Sequence, residues 1–451
     1  MKDGSTIAAI ATPTGVGGIG IIRISGYSSL GIIEKIFSRS PAAKWESHRA
    51  YYGHIVSRGE VIDEVLVLTM LAPRSYTTED VVEIHCHGGT QVLRRVLKLV
   101  LDNGAQLAQP GEFTKRAFLN GRIDLAQSEA VIDIINAKTE AASKAALKLL
   151  GGHFSALVKE MAGAILNMLA HIEASIDYPE HELEAMNLDM IATQSANICK
   201  KISHMLANAQ NGQLLREGIQ TVIIGRPNVG KSSLLNALLQ EDRAIVTPIA
   251  GTTRDILQET VQIDGVPLTI IDTAGIRKTQ DAIEKIGVEK SMACLSNADL
   301  VLLVLDKTQG LTPQDEELLK LTHDKKAIVL LNKNDLAPAA KLAIDAPFVL
   351  EVSATKKDGL NDLGALIKKL FLSGDIAPND APAMLTIRHI QALAAAENSL
   401  QTSLAAIQNG LPEDIVSVDL QEAYRHLGEI TGEFANEDII DKIFSQFCLG
   451  K

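Results

Sequence analysis

The sequence predicts a multidomain α/β protein: an N-terminal α+β domain, then an all-α helical domain into which an α/β domain with a parallel, doubly wound sheet is inserted. Three observations lead to this fold class. The chain has 451 residues, which is too long for one hydrophobic core. Residues 1–118 mix β-rich runs with glycine and proline, and residues 217–372 alternate strand and helix patterns. The segments on either side of 217–372 carry only helical periodicity.

The N-terminal segment has the pattern of a compact α+β domain. Runs at Ile19–Ile24, Val61–Met70 and Val81–His85 predict strands, and Thr90–Leu101 has the apolar spacing of a helix. Glycine and proline, which favour turns, separate these runs. We therefore expect the first domain to span residues 1–118.

Two helical segments, residues 119–216 and 373–451, flank the α/β segment and contain no strand pattern. The simpler interpretation is one helical domain interrupted by residues 217–372, because domain termini often lie close together at the surface. Two independent helical domains are the alternative.

Charge is unevenly distributed along the chain. The 43 Lys and Arg residues against 55 Asp and Glu residues give a net charge of −12. Residues 1–118 carry +2, residues 119–216 and 217–372 carry −3 each, and residues 373–451 carry −8. Binding of nucleic acid over a wide surface needs clustered Lys and Arg. The charge pattern therefore argues against a protein that holds nucleic acid by itself over a wide basic surface.

Cysteine content and hydropathy indicate a cytoplasmic protein without membrane association. Four cysteines are too few and too scattered for a disulfide framework. No apolar run approaches the roughly 18–20 residues of a membrane helix, and the start of the chain lacks the pattern of a secretory signal.

A phosphate-binding motif opens the α/β segment. Gly225–Ser232 matches G-x-x-x-x-G-K-[ST], follows the strand pattern Gln220–Ile224 and precedes the helix pattern Ser233–Leu239. Glycines let backbone N–H groups point at phosphates, and the helix N-terminus favours negative charge. Lys231 is expected at the β- and γ-phosphates, and the Ser232 hydroxyl is expected to ligate Mg²⁺.

Two further motifs fit the same nucleotide site, and they follow the phosphate-binding motif in the order expected of a GTPase. Asp272–Gly275 ends the apolar strand pattern Leu268–Ile271, where Asp272 can hold the Mg²⁺ shell and the Gly275 N–H can contact the γ-phosphate. Asn332–Asp335 follows the apolar run Ala327–Leu331. A fixed carboxylate there accepts hydrogen bonds from the guanine N–H and amino groups, which adenine does not offer.

The base pocket is completed by Ser353 and Ala354 after the apolar run Phe348–Val352. With Thr252 and Thr253 in Gly-Thr-Thr-Arg-Asp, the whole set resembles the translation-factor-like GTPases. It predicts that the inserted segment is a P-loop, Ras-like GTPase domain that binds GTP.

The residue that orients the attacking water is left open by the motifs alone. Ile276 occupies the position where Ras-like enzymes place a glutamine. Arg277 could act as an arginine finger, and Glu284 could orient water directly or through a second water. Residue type and position do not choose between Arg277 and Glu284.

Stretches outside the GTPase segment carry a more specific resemblance: residues 11–13, 17–26, 75–83, 110–121 and the terminal Phe-Cys-Leu-Gly-Lys at 447–451. Together with the inserted GTPase segment, they resemble the tRNA-modification GTPases of the MnmE (TrmE) family from end to end. The resemblance implies an N-terminal domain similar to folate-binding aminomethyltransferases, a helical domain, and a G domain inserted into the latter.

The resemblance also implies a function. With an FAD-dependent partner protein, the family adds an aminomethyl-type (carboxymethylaminomethyl) group to carbon 5 of the wobble uridine in certain tRNAs. The one-carbon unit comes from a tetrahydrofolate, 5-formyltetrahydrofolate or methylenetetrahydrofolate. The implied assembly is a homodimer that forms a heterotetramer with the partner, and its GTPase is activated by K⁺-dependent dimerisation of the G domains.

The resemblance also implies the residues of the GTPase site, each carried over from a matching motif. Glu284 matches the family's water-orienting glutamate, which favours it over Arg277 as catalytic residue beside Lys231. Thr253 joins Ser232 on Mg²⁺, and the implied K⁺ ligands are Asn228, Thr247, Ile249 and Thr252. The residues that the resemblance places against GTP are Asn228, Val229, Gly230, Lys231, Ser232, Ser233, Thr247, Pro248, Ile249, Ala250, Gly251, Thr252, Thr253, Asp272, Thr273, Ala274, Gly275, Asn332, Lys333, Asp335, Ser353 and Ala354.

Folate contacts carry over to Arg23, Glu83, Arg122 and Lys451. Arginine and lysine residues suit an anionic ligand, and a glutamate suits the donor edge of a pterin-like ring. Many members have lysine at the position of Arg122, and the two side chains are not interchangeable in geometry. Without the resemblance, each residue has a simpler interpretation as a surface or fold-stabilising charge.

Other interpretations carry less support. A GTP-controlled RNA-binding or ribosome-assembly switch needs an added basic module, whereas residues 373–451 carry −8. A membrane-remodelling GTPase needs a basic amphipathic element, and none stands out.

His85-Cys86-His87 has no second ligand cluster of matching spacing for a metal site. Cys448 is a chemically plausible nucleophile, but a docked tail that presents Lys451 explains the segment more simply.

Overall fold

A computed structural model describes the chain except for residues 1–3, 14, 39–43, 138, 178–187, 242–258, 272–294, 296–297, 338–343 and 372–384. The chain divides into two compact units. The first comprises Met1–Ile132, Leu150–Gln194 and Asn398–Lys451, and the second comprises Asp133–Leu149 and Ser195–Glu397. The α/β segment lies within the second unit, and the domain boundaries expected from the sequence stay predictions.

The described strands are β1 Ile7–Ile10, β2 Ile19–Ser25, β3 Phe37–Ser38, β4 Arg49–Ser57, β5 Glu60–Met70, β6 Val81–His87, β7 Gln106–Leu107, β8 Ile219–Ile224, β9 Glu259–Ile263, β10 Val266–Ile270, β11 Leu300–Asp306, β12 Ala327–Asn332 and β13 Val349–Glu351. The described helices are α1 Ser29–Ile36, α2 Thr90–Asp102, α3 Glu112–Leu119, α4 Leu125–Asn136, α5 Glu140–Leu150, α6 His153–Asp177, α7 Leu188–Glu217, α8 Lys231–Glu241, α9 Pro313–Thr322, α10 Leu360–Phe371, α11 Ile387–Gln408, α12 Glu413–Thr431 and α13 Glu437–Ser445. None of these helices is long and apolar enough to cross a membrane.

The first unit contains a seven-stranded sheet in the order β3-β4-β5-β6-β2-β1-β7, antiparallel except where β7 pairs with β1. Side chains alternate between its faces, as the strand period requires. Ile22 and Ile24 belong to the hydrophobic core on one face. A Cβ on Gly20 would lie 2.5 Å from Leu93 Cδ1 of α2, so a larger residue at this position would have to displace the Leu93 side chain. Arg23 therefore points away from α2, toward the opposite face.

Helices from distant parts of the chain pack together in the first unit. Helix α6 lies along α12, although the whole α/β segment separates them in sequence, and α13 packs against α3. The aromatic ring of Phe444 in α13 lies 6.2 Å from that of Phe118 in α3 and 5.3 Å from that of Phe447. These contacts hold the last residues of the chain beside the N-terminal sheet.

The second unit contains a six-stranded sheet in the order β13-β12-β11-β8-β10-β9. Strands β13 to β10 in this order are parallel, as the sequence predicts for a doubly wound domain. At one edge the sheet is antiparallel, where β9 pairs with β10. Asp264 and Gly265 join these strands with φ of 49° and 79°. An Asp-Gly pair adopts the left-handed backbone of a two-residue hairpin turn readily, so the sequence did contain this signal.

Replacing Leu420 by alanine tests the helical packing of the first unit. Leu420 in α12 is fully buried, so Leu420→Ala is expected to lower the free energy of unfolding by about 2–5 kcal/mol through lost burial and a residual cavity. Val418→Ala on the same helix is the matched control, because Val418 is 59% exposed and such surface changes cost less than about 0.5 kcal/mol. Urea unfolding followed by circular dichroism measures both. Equal losses of unfolding free energy in the two variants would contradict the burial of Leu420.

Candidate functional site

The phosphate-binding motif forms a loop between β8 and α8. Its backbone is left-handed at Asn228 and Gly230, with φ of 64° and 101°. A Cβ on Gly230 would lie 2.1 Å from Nδ2 of Asn332, so the position requires glycine for space as well as for conformation. The loop ends at the N-terminus of α8, where free backbone N–H groups and the helix dipole favour an anion.

Lys231 spans this loop. Its Nζ donates to the carbonyl oxygens of Gly225 and Arg226, both at 2.7 Å. Burial lowers the pKa of the Lys231 ammonium below its ordinary value, whereas a phosphate oxygen within reach would favour the charged form. Arg226 is anchored in turn, because its Nε lies 2.8 Å from Oδ1 of Asp315, a buried residue in the first turn of α9. The expected contact of Lys231 with phosphates stays a prediction.

Asn332 joins the phosphate loop to the base-binding segment. This buried residue ends β12, and its Nδ2 donates to the carbonyl oxygen of Val229 at 2.9 Å. Its Oδ1 accepts a hydrogen bond from the backbone N–H of Ala354 at 3.1 Å. The sequence places Asn332 in the base pocket, and the structure shows that its amide is used to connect two loops.

Asp335 and Ser353 meet at the same edge of the sheet. The Ser353 hydroxyl donates to Oδ1 of Asp335 at 2.7 Å, and this hydrogen bond holds the pKa of the Asp335 carboxyl below its ordinary value. The Asp335 side chain is exposed. An ionised carboxylate held in this way can accept two hydrogen bonds from one planar edge that carries donors.

Asp306 is a site residue that the sequence reading missed. Its Oδ2 lies 2.6 Å from Nζ of Lys333, and its Oδ1 accepts from the N–H and the hydroxyl of Thr308 at 2.9 and 2.6 Å. Burial opposes ionisation, but the hydrogen bonds from Lys333 and Thr308 hold the pKa of Asp306 below its ordinary value. Asp306 ends β11 directly opposite Asn332 in register. An acidic residue at the carboxyl end of an apolar parallel strand was the available signal.

The remaining predicted nucleotide residues divide into two groups. Val229 is buried in the phosphate loop, and Ser232 and Ser233 lie in the first turn of α8. The others lie outside the described residues: Thr247, Pro248, Ile249, Ala250, Gly251, Thr252, Thr253, Asp272, Thr273, Ala274, Gly275, and the two catalytic candidates Arg277 and Glu284.

Three of the four predicted folate residues come together in the first unit. Arg23 and Glu83 lie opposite each other on β2 and β6, and Arg23 Nε is 2.8 Å from Glu83 Oε1. The other carboxylate oxygen of Glu83 lies 3.3 Å from Nε2 of His85. Arg23 also donates through Nη1 to the carbonyl oxygen of Gly450 at 3.2 Å, which places the chain end beside this pair.

The last two residues are held closely. The backbone N–H of Phe113 donates to the carbonyl oxygen of Lys451 at 3.1 Å. Gly450 has φ of 86°, and a Cβ there would lie 2.4 Å from the carbonyl oxygen of Ile10. Burial, and after it the positive charge of Arg23, lower the pKa of the Lys451 ammonium. An anion bound here would be favoured by both cations.

Arg122, the fourth predicted folate residue, is connected to this group through Tyr76. Its guanidinium lies 4.8 Å from the centroid of the Tyr76 ring, and its Nη1 donates to the Tyr76 carbonyl oxygen at 3.2 Å. The guanidinium of Arg23 lies 5.8 Å from the centroid of the same ring. Tyr76 was not singled out from the sequence, although it lies within one of the stretches that carry the family resemblance.

The His85-Cys86-His87 run does not converge on one point. Cys86 belongs to the core on the helix-covered face of the sheet, and the two histidines alternate to the other face. Burial, with a smaller effect of Asp63, raises the pKa of the Cys86 thiol to about 12. A neutral, buried thiol is a poor metal ligand.

Comparison with known proteins finds matches along nearly the whole chain. Family models described as "GTP-binding protein TrmE N-terminus" and "MnmE helical domain" match residues 6–122 and 125–448. The chain is 49% identical over 457 aligned positions to the tRNA modification GTPase MnmE of Lactobacillus delbrueckii subsp. bulgaricus, covering 100% of this chain and 99% of that protein. It is 48% identical to the MnmE of Geobacillus kaustophilus, covering 100% of each. The chain therefore belongs to the MnmE family of tRNA modification GTPases.

Proposed function

We propose that this chain hydrolyses GTP in the enzyme complex that adds a carboxymethylaminomethyl-type group to carbon 5 of the wobble uridine of certain tRNAs. One observation carries the proposal. At one edge of the sheet in the second unit, the structure brings together four predicted nucleotide-binding residues: Lys231, Asn332, Asp335 and Ser353. Family membership supplies the link from a nucleotide site to tRNA modification.

Guanine selection follows from Asp335. The Ser353 hydroxyl occupies one carboxylate oxygen and keeps the group ionised. The exposed carboxylate accepts from the ring N–H and amino group of guanine, and adenine offers no matching pair of donors. The ammonium of Lys333 is held by the carboxylate of Asp306.

Phosphate binding follows from the loop 225–230 and Lys231. Backbone N–H groups at the start of α8 bind the phosphates, and Lys231 exchanges its carbonyl acceptors for β- and γ-phosphate oxygens. Hydroxyl oxygens at a helix N-terminus beside phosphates fit Mg²⁺, which prefers oxygen ligands. Ser232, with Thr253, would hold that ion, whose charge would balance the β- and γ-phosphates.

Monovalent cation binding is assigned to Asn228. Its side chain is exposed in the left-handed turn of the phosphate loop, and an amide oxygen is a suitable ligand for K⁺. Backbone groups of Thr247, Ile249 and Thr252 would complete the shell. A positive charge held there replaces the stabilisation that an arginine gives to the developing charge in other GTPases.

The folate site is assigned to Arg23, Glu83, Arg122 and Lys451. The partly buried cations Arg23 and Lys451 favour an anionic ligand, and Glu83 is the acceptor for donor groups on a pterin ring. The ligand would be 5-formyltetrahydrofolate or methylenetetrahydrofolate, and it supplies the one-carbon unit.

Family membership implies the proposed assembly, and the charge distribution bears on how it holds tRNA. Residues 373–451 carry −8 of the total −12, which disfavours tRNA binding over a wide surface of this segment. The proposed complex is a homodimer of this chain that binds an FAD-dependent partner in the cytoplasm, and the partner supplies most of the electropositive surface for tRNA.

Nucleoside analysis of tRNA tests the function directly. In cells that lack this chain, the modified wobble uridine is expected to disappear, and the wild-type gene is expected to restore it. Liquid chromatography with mass spectrometry of digested tRNA measures the change. Unchanged wobble uridines in the deletion strain would refute the proposed function.

Cation dependence tests the role of Asn228. GTP turnover in K⁺ is expected to exceed turnover in Na⁺ by roughly tenfold or more, because a bound cation stabilises charge in the transition state. Asn228→Gly is the variant of choice, since φ of 64° suits glycine and only the side chain is lost. This variant should lose the preference for K⁺ while it still binds GTP. Equal wild-type rates in both salts would remove the K⁺ assignment.

Alanine substitution distinguishes the two candidates for orienting water. Glu284→Ala is expected to lower the GTP turnover number by about 10²- to 10⁴-fold, the range for loss of a positioned proton acceptor. The affinity for a non-hydrolysable GTP analogue should stay near that of the wild type. Arg277→Ala is the comparison variant and should keep most of the turnover. The reverse pattern would assign the role to Arg277.

A further inference from the structure

A cavity in the first unit lies beside the proposed folate residues. It has a volume of about 590 Å³, which falls within the roughly 300–1,000 Å³ of small-molecule sites. Its lining residues are His48, Met70, Pro73, Arg74, Ser75, Tyr76, Thr78, Asn120, Gly121 and Arg122.

The cavity is cationic. Arg74 and Arg122 line it together with His48, and none of the ten lining residues is Asp or Glu. Within the part of the chain that the structure describes, the guanidinium of Arg74 has no hydrogen-bond or ion-pair partner, and the guanidinium of Arg122 donates to one backbone carbonyl oxygen, that of Tyr76. Guanidinium groups with free N–H donors bind carboxylates with two parallel hydrogen bonds. The cavity is therefore suited to a ligand that carries carboxylates.

The loop that carries Arg74 is held in place at several points. The N–H of Ala72 donates to Oδ1 of Asp80 at 2.9 Å, and Nδ2 of Asn120 donates to the carbonyl oxygen of Thr77 at 2.7 Å. The hydroxyl of Tyr76 lies 2.9 Å from that of Thr114. These bonds fix the loop before any ligand is present, which lowers the entropy that binding must overcome.

Tyr76 connects the cavity to the proposed folate site. Its ring lies under the guanidinium groups of both Arg23 and Arg122, and it also lines the cavity. A folate whose pterin ring reaches Glu83 would extend its glutamate end past Tyr76 toward Arg122 and Arg74. Each further γ-linked glutamate adds one carboxylate to that end.

We propose that this cavity binds the poly-γ-glutamate tail of the tetrahydrofolate, so that the chain prefers polyglutamylated cofactor over the monoglutamate. The inference rests on the folate site proposed above and names the form of ligand that the site takes. An RNA backbone is the competing anion. An open cavity of about 590 Å³ beside a folate site is large enough for a short tail, whereas an extended polyphosphate strand needs a long basic groove.

Binding of two folates to the full chain tests the proposal. By isothermal titration calorimetry, 5-formyltetrahydrofolate triglutamate is expected to bind about three- to tenfold more tightly than the monoglutamate, the effect of one or two partly exposed ion pairs. Arg74→Gln should weaken binding of the triglutamate more than binding of the monoglutamate and so bring that ratio close to one. Arg95→Gln is the matched control, because exposed Arg95 belongs to α2 on the other face of the sheet. It should keep the full ratio.

The outcomes separate this proposal from the one on which it rests. Equal affinities of the wild type for both folates, or an unchanged ratio in Arg74→Gln, would overturn the cavity assignment and leave the folate site standing. A chain that binds neither folate would refute the folate site itself. Loss of tRNA affinity in Arg74→Gln with an unchanged folate ratio would assign the cavity to RNA instead.

Discussion

The nucleotide site depends on one buried amide. Asn332 bonds the carbonyl oxygen of Val229 and the N–H of Ala354 at the same time, so it fixes the distance between the phosphate loop and the base pocket. Loss of this side chain would leave two buried backbone groups unpaired, at about 1–3 kcal/mol each. The requirement for glycine at position 230 is the steric consequence of the same contact. This link holds the loops of Lys231 and Asp335 together, as joint action on one nucleotide requires in the proposed function.

Anion binding in this protein is local rather than global. The chain carries −12 overall, yet Arg23 and Lys451 are brought together beside the N-terminal sheet. Arg74 and Arg122 line one cavity without a carboxylate. Partial burial strengthens the electrostatic attraction between such cations and an anion, because water screens their charges less. The net charge therefore disfavours binding of anions over large surfaces, whereas the small cationic sites are suited to small anionic ligands.

Much of the fold could be predicted from the sequence, and part of the site could not. The strand expected at Val61–Met70 begins one residue earlier, and the helix expected at Thr90–Leu101 ends one residue later. The antiparallel edge strand β9 was missed, although Asp264-Gly265 is a recognisable hairpin turn. Asp306 and Tyr76 were missed because their roles depend on neighbours from other strands and loops.

The sequence by itself determined the phosphate loop and the order of the nucleotide motifs, because consecutive residues set the backbone conformation of each motif. Only the tertiary structure decided which distant groups meet. Arg23 pairs with Glu83 through strand register and reaches Gly450, 427 positions away, through docking of the chain end. Contacts between distant residues depend on strand order, sheet face and helix packing together. No local pattern specifies that combination, so the residues that complete each site became visible only in the folded chain.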